Sequence, residues 1–173
     1  MNRPVRRLLA LSGLALGSLT AGAPQMGIAS GAPQLLPITA RWCLEAPDRR
    51  CIDLEVAATL DQQAIGLQLR PPLPPLRGMW FPYAMPTPAR FWMHRTPAPL
   101  DMLFIRDGRV VAIEAHTRPC LRLPCRSYGP ALPVDGVVEL AAGQAEALGL
   151  TVGSPAVITP LAPAAHPAAP ARD

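Results

Sequence analysis

The feature that most constrains the fold of this chain is the shortness of its apolar runs. Between residues 35 and 159, no segment could form the long helical crossovers that a parallel α/β sheet requires. Eight segments have the length and composition of short strands: 39–44, 51–57, 79–83, 90–95, 100–106, 109–115, 134–140 and 156–159. This pattern predicts a mainly β domain over residues 35–159, which is a compact sandwich or a partly closed barrel.

Two short helices and one tight hairpin complete the predicted architecture. Thr59, followed by Gln62 three residues later, has the capping-box pattern, and the proline-rich residues 71–75 end that first helix. The second helix covers residues 144–148 and is stopped by Gly149. The dipeptide Asp107-Gly108 lies between two strand-like runs and predicts a two-residue hairpin turn.

The two ends of the chain differ from this central part. Residues 1–23 have a basic start, an uncharged apolar run and the small-residue pattern Ala21-Gly22-Ala23, which together indicate a signal peptide. An uncleaved membrane anchor is the alternative, but the apolar run is short of the ~20 residues of a spanning helix. Residues 24–34 are predicted to be a flexible segment, and residues 160–173 a disordered tail of alanine and proline. The protein is therefore expected to be exported, to the periplasm or outside the cell, without a stable membrane span.

The net charge gives no support for binding to nucleic acid or to an anionic membrane. All 16 basic residues are arginines, and three of them lie in the predicted signal, so 13 remain against 12 acidic residues, a net charge of +1. A protein that binds nucleic acid through bulk charge is normally much more basic. The expected partner is instead an unknown small molecule or a component of the cell envelope.

Four cysteines in an exported chain indicate disulfide bonds. We favour local pairing, in which Cys43 bonds to Cys51 across a turn and Cys120 bonds to Cys125 around a short loop. The alternative is a metal or redox site, because His116 has a ligand-like spacing to Cys120 and Cys125. A closed zinc site needs a fourth ligand and reduced thiolates, so no metal and no cofactor is predicted.

Candidate functional residues concentrate in the segment 91–101, where polar groups lie among apolar ones. Asp101 follows two prolines and precedes an apolar run, where an unpaired carboxylate would be costly. It is either a catalytic candidate, with His94 as a general base, or a structural corner that accepts hydrogen bonds from backbone N–H groups, Arg70 or Arg95. Core packing is the simpler explanation for Trp92, which with Arg95 is also a candidate binding residue.

Three arginines surround the second cysteine pair and could bind an anionic group: Arg118, Arg122 and Arg126. A solvated basic rim is the alternative. The chain has no phosphate-binding glycine loop, no nucleophile elbow and no metalloprotease motif. Two classes of function stay open: a non-catalytic binding or accessory domain, which we favour, and a small enzyme that uses Asp101 with His94 or Arg95 in an apolar cleft.

From residue 54 to residue 158 the order of motifs resembles the bacterial and archaeal family called domain of unknown function 192. The matching pieces are Leu54-Glu55-Val56-Ala57, Ile65-Gly66-Leu67, Arg70, Gly78-Met79-x-Phe81, Phe91-Trp92-Met93-x-x-Thr96, Pro99-Leu100-Asp101, Asp107-Gly108-Arg109-Val110-Val111, Pro119-Cys120, Pro124-Cys125-x-x-Tyr128, Val138-Glu139-Leu140-x-x-Gly143 and Val152-Gly153. The chain departs from the family pattern at Gln62-Gln63, at Gln68 and at His94-Arg95, where the family typically has Lys-Asn. The resemblance implies a compact β-rich domain, often exported, and brings no established activity.

Overall fold

The computed structural model describes residues 31–45 and 49–162, and within them the fold is mainly β, as predicted. The elements are β1 (Ile38–Cys43), β2 (Cys51–Val56), α1 (Leu60–Ile65), β3 (Arg77–Pro88), β4 (Phe91–Trp92), β5 (Leu100–Arg106), β6 (Arg109–Thr117), β7 (Ser127–Tyr128), β8 (Pro133–Ala141), α2 (Gln144–Ala147) and β9 (Ile158–Pro160). No helix in these residues is long and apolar enough to cross a membrane.

Seven strands form one mixed sheet, in the order β6-β5-β8-β3-β2-β1-β9, and β4 pairs with β7 in a separate small sheet. The edge strands β6 and β9 do not pair with each other, so the sheet is not a closed barrel. The segment before β9 partly fills the gap, because Val110 N–H donates to Ser154 O at 3.0 Å and Ala156 N–H donates to Gly108 O at 2.8 Å. The result agrees with the predicted partly closed architecture.

Every neighbouring pair in the large sheet is antiparallel except β2 and β3, which run parallel. The connection between these two strands contains α1 and the proline-rich residues 71–75. Parallel neighbours need such a crossover, because their ends lie at opposite edges of the sheet. The single six-residue helix keeps the crossover short, which is consistent with the absence of long helical runs.

Each face of the large sheet carries its own hydrophobic core. One core contains Trp42, Leu54 and Leu103 and is covered by α2 and the residues after it. The other contains Phe81 and Phe104 and is covered by the segments around β4 and after α1. With both faces covered, central strands such as β5 and β8 are buried along nearly their whole length, so a charged side chain in the middle of either strand is removed from water.

The local signals behave as predicted. Asp107 and Gly108 have φ values of 50° and 68°, the pair of positive angles that a tight hairpin between twisted strands requires. Thr59 and Gln62 form the full capping box at the start of α1. The strand predicted for residues 90–95 is shorter than expected, because the chain turns where Thr96 N–H donates to Met93 O. Strand β7 was not predicted.

The termini of the described chain are held by specific contacts. Gln34 Nε2 donates to Gln62 O and Gly66 O at 2.8 and 2.9 Å. At the other end Pro160 belongs to β9, and Leu161 N–H donates to Thr39 O at 2.8 Å. The predicted signal peptide, most of the predicted flexible segment, and residues 163–173 of the predicted tail lie outside the described residues.

Both predicted disulfides are present, Cys43–Cys51 between β1 and β2 and Cys120–Cys125 around a loop. We therefore expect no free thiol in the native oxidised protein, since all four cysteines are paired. Labelling with a maleimide under denaturing, non-reducing conditions should give no adduct by mass spectrometry, and prior reduction should give four. Two labelled cysteines before reduction would show that one disulfide is absent in the native protein.

Candidate functional site

The segment 91–96, which the sequence singled out, joins three parts of the chain. Phe91 and Trp92 pair with Tyr128 and Ser127 to form the small sheet. Cys120 N–H donates to Met93 O at 3.1 Å, which attaches the second disulfide loop. Leu69 N–H donates to Arg95 O at 2.8 Å, which attaches the residues after α1. The segment therefore holds together the loops that surround the two pockets described below.

Asp101 is buried, 1% exposed, and both of its carboxylate oxygens accept backbone hydrogen bonds. His116 N–H donates to Oδ1 at 2.9 Å, and Ala145 N–H donates to Oδ2 at 3.0 Å. Neither Arg70 nor Arg95, the arginines considered from the sequence, bonds to it within the described chain. Of the structural partners predicted for Asp101, the backbone N–H groups are the ones found.

The two bonds to Asp101 each satisfy an irregularity of the backbone. Opposite Asp101 the pairing of β5 and β6 shifts register, so β6 has a bulge at Ala115 and His116, where φ of His116 is 51°. Ala145 is the second residue of α2, whose N-cap, Gly143, has no side chain to accept a helix N–H. From β5, Asp101 therefore caps helix α2 and accepts a hydrogen bond from the bulge of the neighbouring strand β6.

The other candidate residues of this segment, Trp92, His94 and Arg95, are exposed or half-buried. Trp92 is 51% exposed, and the His94 ring lies 5.4 Å from the Trp92 ring between centroids. Arg95 is half-buried with φ 57°, and its N–H donates to Cys120 O at 3.2 Å. No hydrogen bond or ion pair in the described chain joins His94 or Arg95 to Asp101, so the structure does not assemble the three as a catalytic group.

An open cleft lies beside the second disulfide, and we call it the arginine cleft. Its cavity volume is about 640 Å³, within the usual range for small-molecule sites. It is lined by Met93, Glu114, Ala115, His116, Thr117, Arg118, Pro119, Cys120, Arg126 and Tyr128. Of the three arginines predicted to bind an anion, Arg118 and Arg126 line it and Arg122 does not.

The two arginines of the cleft are held differently. Arg126 lies over the Tyr128 ring, with Cζ 4.9 Å from the ring centroid, and its guanidinium is 4.0 Å from Glu114 Oε2. Arg118 is exposed, and its backbone N–H donates to the Tyr128 hydroxyl at 3.3 Å. Tyr128 thus positions both residues, while each guanidinium keeps free N–H donors for a ligand.

Glu139 is the titratable residue that the sequence analysis missed as a candidate. It lies in the middle of β8, between Met79 of β3 and Met102 of β5, and is 4% exposed. Burial raises the pKa of Glu139 to about 8, so the carboxyl is mostly protonated at neutral pH. Burial, and secondarily the charge of Glu139, raises the pKa of Tyr83 to about 12. A glutamate inside the apolar run of β8 was the available signal.

Glu139 lines a small pocket between α1 and β4, which we call the Glu139 pocket. Its cavity volume is about 30 Å³, which is enough for one or two non-hydrogen atoms of a ligand. It is lined by Gln63, Ala64, Ile65, Gly66, Leu67, Gln68, Phe81, Phe91, Trp92, Thr96 and Glu139. Many of these residues belong to the motifs that carry the family resemblance.

The remaining buried carboxylate is paired. Arg70 donates to both oxygens of Glu55, at 2.7 and 2.9 Å, and Leu36 N–H donates to the same group at 3.0 Å. Such a bidentate pair satisfies the carboxylate in a dry environment, whereas Nε of Arg70 is buried and has no hydrogen-bond partner in the described chain. Among residues 31–45 and 49–162, no group of three His, Cys, Asp or Glu side chains is close enough to hold a metal ion, and the disulfide removes two of the ligands considered around His116.

Comparison with known proteins gives a family match over most of the domain. The sequence profile of a family described as "Uncharacterized ACR", domain of unknown function 192, matches residues 43–158. No curated protein matches the chain.

Two solved structures are similar to the whole domain. One is a protein of unknown function from Novosphingobium aromaticivorans DSM 12444, with 32% identity and a TM-score of 0.64 over 84% of this chain and 99% of that one. The other, from Sinorhizobium meliloti 1021, is named a "putative transcription regulator". It has 30% identity and a TM-score of 0.62 over 70% of this chain and 92% of that one.

Proposed function

This chain belongs to the family called domain of unknown function 192, whose members are described as uncharacterised, so we propose its function from its own geometry. We infer that it is a non-catalytic binding domain for an anionic ligand. The ligand is a small molecule or an envelope component that presents a carboxylate, phosphate or sulfate group. The observation that carries this proposal is the arginine cleft, an open cavity of about 640 Å³ with Arg118 and Arg126 in its wall.

The charges around the cleft favour an anion. Arg118, Arg126 and His116 are exposed there, whereas Glu114 is the single acidic residue among the lining residues. Guanidinium groups bind carboxylates and phosphates through paired, charge-assisted hydrogen bonds. The contact of Arg126 with the Tyr128 ring restricts that side chain before a ligand arrives, which lowers the entropy lost on binding.

An enzymatic function of Asp101 has less support. A catalytic carboxylate must reach its substrate, whereas both oxygens of Asp101 are taken by backbone N–H groups and the residue is 1% exposed. We propose that Asp101 is structural and that the accessible polar groups of the cleft carry the function. The name of the Sinorhizobium meliloti protein suggests nucleic-acid binding, but the balanced charge of this chain outside its predicted signal does not favour it.

We further propose that the protein acts outside the cytoplasm. The predicted signal peptide at residues 1–23 supports this, and so do the two disulfide bonds, which persist in oxidising compartments. In that environment the second disulfide would keep the loop between Cys120 and Cys125 closed beside the cleft.

The test is a nuclear magnetic resonance titration of the protein with inorganic phosphate, acetate and, as a cation control, choline, all at constant ionic strength. We expect saturable shifts of the amides of residues 114–120 and 126–128 with an anion and none with choline. Arg118→Gln and Arg126→Gln should each weaken binding by about tenfold, which corresponds to the loss of one charge-assisted contact.

The matched control is Arg109→Gln, since Arg109 is also an exposed arginine but lies at the start of β6, whereas Arg118 directly follows the end of that strand. It changes the net charge equally, so it should leave the affinity for the anion nearly unchanged. Equal weakening by all three variants would show that the shifts report only on net charge, and would contradict a site in the cleft.

A further inference from the structure

We propose that the Glu139 pocket is a second binding site, which takes the ammonium head of an amine ligand against the Glu139 carboxylate. This site is independent of the arginine cleft. The two pockets share no lining residue, and their ligands have opposite charge.

The first argument is the isolation of Glu139. Glu139 is 4% exposed as a residue, yet no residue of the described chain donates a hydrogen bond to its side chain or forms an ion pair with it. Buried carboxylates in folded proteins are normally paired, as Asp101 and Glu55 are here. A third carboxylate on the same sheet without a partner, lining a pocket, indicates that its partner comes from outside the chain.

The second argument is the chemistry of the pocket walls. Phe81 and Phe91 pack edge to face, with ring centroids 5.0 Å apart, and Trp92 lies at the exposed side. Aromatic faces attract ammonium groups, most strongly where water is excluded. Three aromatic residues around one carboxylate are a suitable environment for a cation and a poor one for an anion.

The size of the pocket limits what enters. A volume of about 30 Å³ admits an ammonium nitrogen with its nearest carbon but not a whole amine of drug size. The rest of the ligand must therefore remain outside, against the half-exposed Trp92. Primary amines at the end of a flexible chain meet this requirement, whereas quaternary ammonium groups are too bulky.

The charged and titratable groups around Glu139 leave it as the available anion. On β2, Glu55 is already paired with Arg70, and on β5, Asp101 is opposite Leu140 in register, so it points to the other face of the sheet. On β3, Tyr83 is neutral near physiological pH.

The remaining neighbours do not supply a second anion. His94 lies beside the Trp92 ring, outside the lining of the pocket. In α1 and just after it, the side-chain amides of Gln63 and Gln68 donate to the backbone carbonyls of Ala57, Pro82 and Ala64. An ammonium group in the pocket would thus meet the carboxylate of Glu139, and no other lining residue is charged.

The protonation of Glu139 provides a specific signature for this ligand class. An ammonium group binds the ionised carboxylate, and since the pKa of Glu139 is about 8 without a ligand, binding below that pH must release one proton. The affinity should therefore rise about tenfold for each pH unit up to about 8 and then level off. A neutral amide would bind the protonated acid instead, so its affinity should fall above that pH.

The experiment titrates the full chain with methylammonium chloride between pH 6 and 9, with sodium chloride at equal ionic strength as the reference and acetamide as the neutral probe. The readouts are the amides of residues 64–68, the Trp92 indole and the carboxyl carbon of Glu139. We expect saturable shifts with methylammonium that strengthen with pH, and a lower pKa of Glu139 when methylammonium is bound.

Glu139→Gln keeps the size of the side chain but cannot ionise, so it should weaken methylammonium binding at pH 8 by at least tenfold and abolish the pH dependence. Glu146→Gln is the matched control, since Glu146 is an exposed glutamate of α2 and lines neither pocket. It should bind methylammonium like the parent.

Three results would overturn the proposal: unchanged binding by Glu139→Gln, tighter binding of acetamide than of methylammonium at pH 8, or no saturable shift with methylammonium. If the glutamine variant does not fold, the carboxyl titration of the parent decides instead, because an unchanged pKa of Glu139 in methylammonium excludes the site. None of these results bears on anion binding in the arginine cleft, so the two proposals fail separately.

Discussion

Glu139→Gln is expected to make the protein more stable than the parent at pH 9, by several kcal/mol, while the two proteins have similar stability at pH 4. In the folded parent, burial raises the pKa of Glu139 from its usual 4.5 to about 8. Below pH 4.5 the carboxyl is protonated in both the folded and the unfolded chain, so it has no effect on the pH dependence. Between pH 4.5 and 8 the unfolded chain loses its proton first, and the free energy of unfolding therefore falls as the pH rises.

The full loss is on the order of 5 kcal/mol, from the size of the pKa change at ~1.4 kcal/mol for each unit. Glutamine is neutral at every pH, so the variant does not lose this stability as the pH rises. Urea unfolding of parent and variant at intervals from pH 4 to pH 9 measures the difference directly. Glu114→Gln should leave the pH dependence of the parent in place. A constant difference between Glu139→Gln and the parent across this range would show that Glu139 has the same pKa in the folded and unfolded chain.

Asp101→Ala is expected to cost on the order of 3–5 kcal/mol in the free energy of unfolding. The change leaves two buried N–H groups without acceptors, those of His116 in the β6 bulge and of Ala145 at the start of α2. Loss of the helix cap contributes to the same total. Chemical denaturation of parent and variant at neutral pH measures this cost, and hydrogen exchange should show faster exchange at both amides.

Asp101→Asn should cost less, about 1–3 kcal/mol, because it keeps the shape and one acceptor but turns an NH₂ group toward the other N–H. The matched control is Asp135→Ala. Asp135 also accepts a backbone hydrogen bond, from Asp107 N–H at 2.6 Å, but its side chain is 36% exposed and water can replace it. If Asp101→Ala were as stable as the parent or more so, the structural role would be wrong and Asp101 would become the first residue to test for ligand binding or catalysis.

Much of the fold follows from signals within a few residues of one another. The Asp107-Gly108 turn, the Thr59 capping box and the two disulfide pairs were all predicted, and each depends on groups that are close in sequence. The mainly β character also follows from local patterns, since strand length and turn residues are read directly along the chain. For the candidate site, the sequence named three arginines near the second disulfide as possible anion ligands, and two of them, Arg118 and Arg126, lie in the wall of the arginine cleft.

The partners of the buried charges could not be predicted, because they are distant in sequence. Asp101 bonds to groups 15 and 44 residues away, and Arg70 pairs with Glu55 rather than with Asp101. The hydrogen bonds of Asp101 depend on a bulge in β6 and on an N-cap glycine. These features come near Asp101 only when β5, β6 and α2 are packed together. A sequence shows that a buried carboxylate needs a partner, but several arginines and many N–H groups are available in principle.

Glu139 shows most clearly what only the tertiary structure decides. In sequence it is one glutamate in the strand-like run of residues 134–140 and could equally have faced water. Its environment depends on the neighbours of β8, since β3 and β5 bring methionines to either side and the segments at α1 and β4 close over it. The sequence by itself determined most of the strands, the Asp107-Gly108 turn and the disulfides, because these depend on groups that are close along the chain. The order of strands in the sheet decided which charges are satisfied, because burial and pairing arise only when distant segments pack.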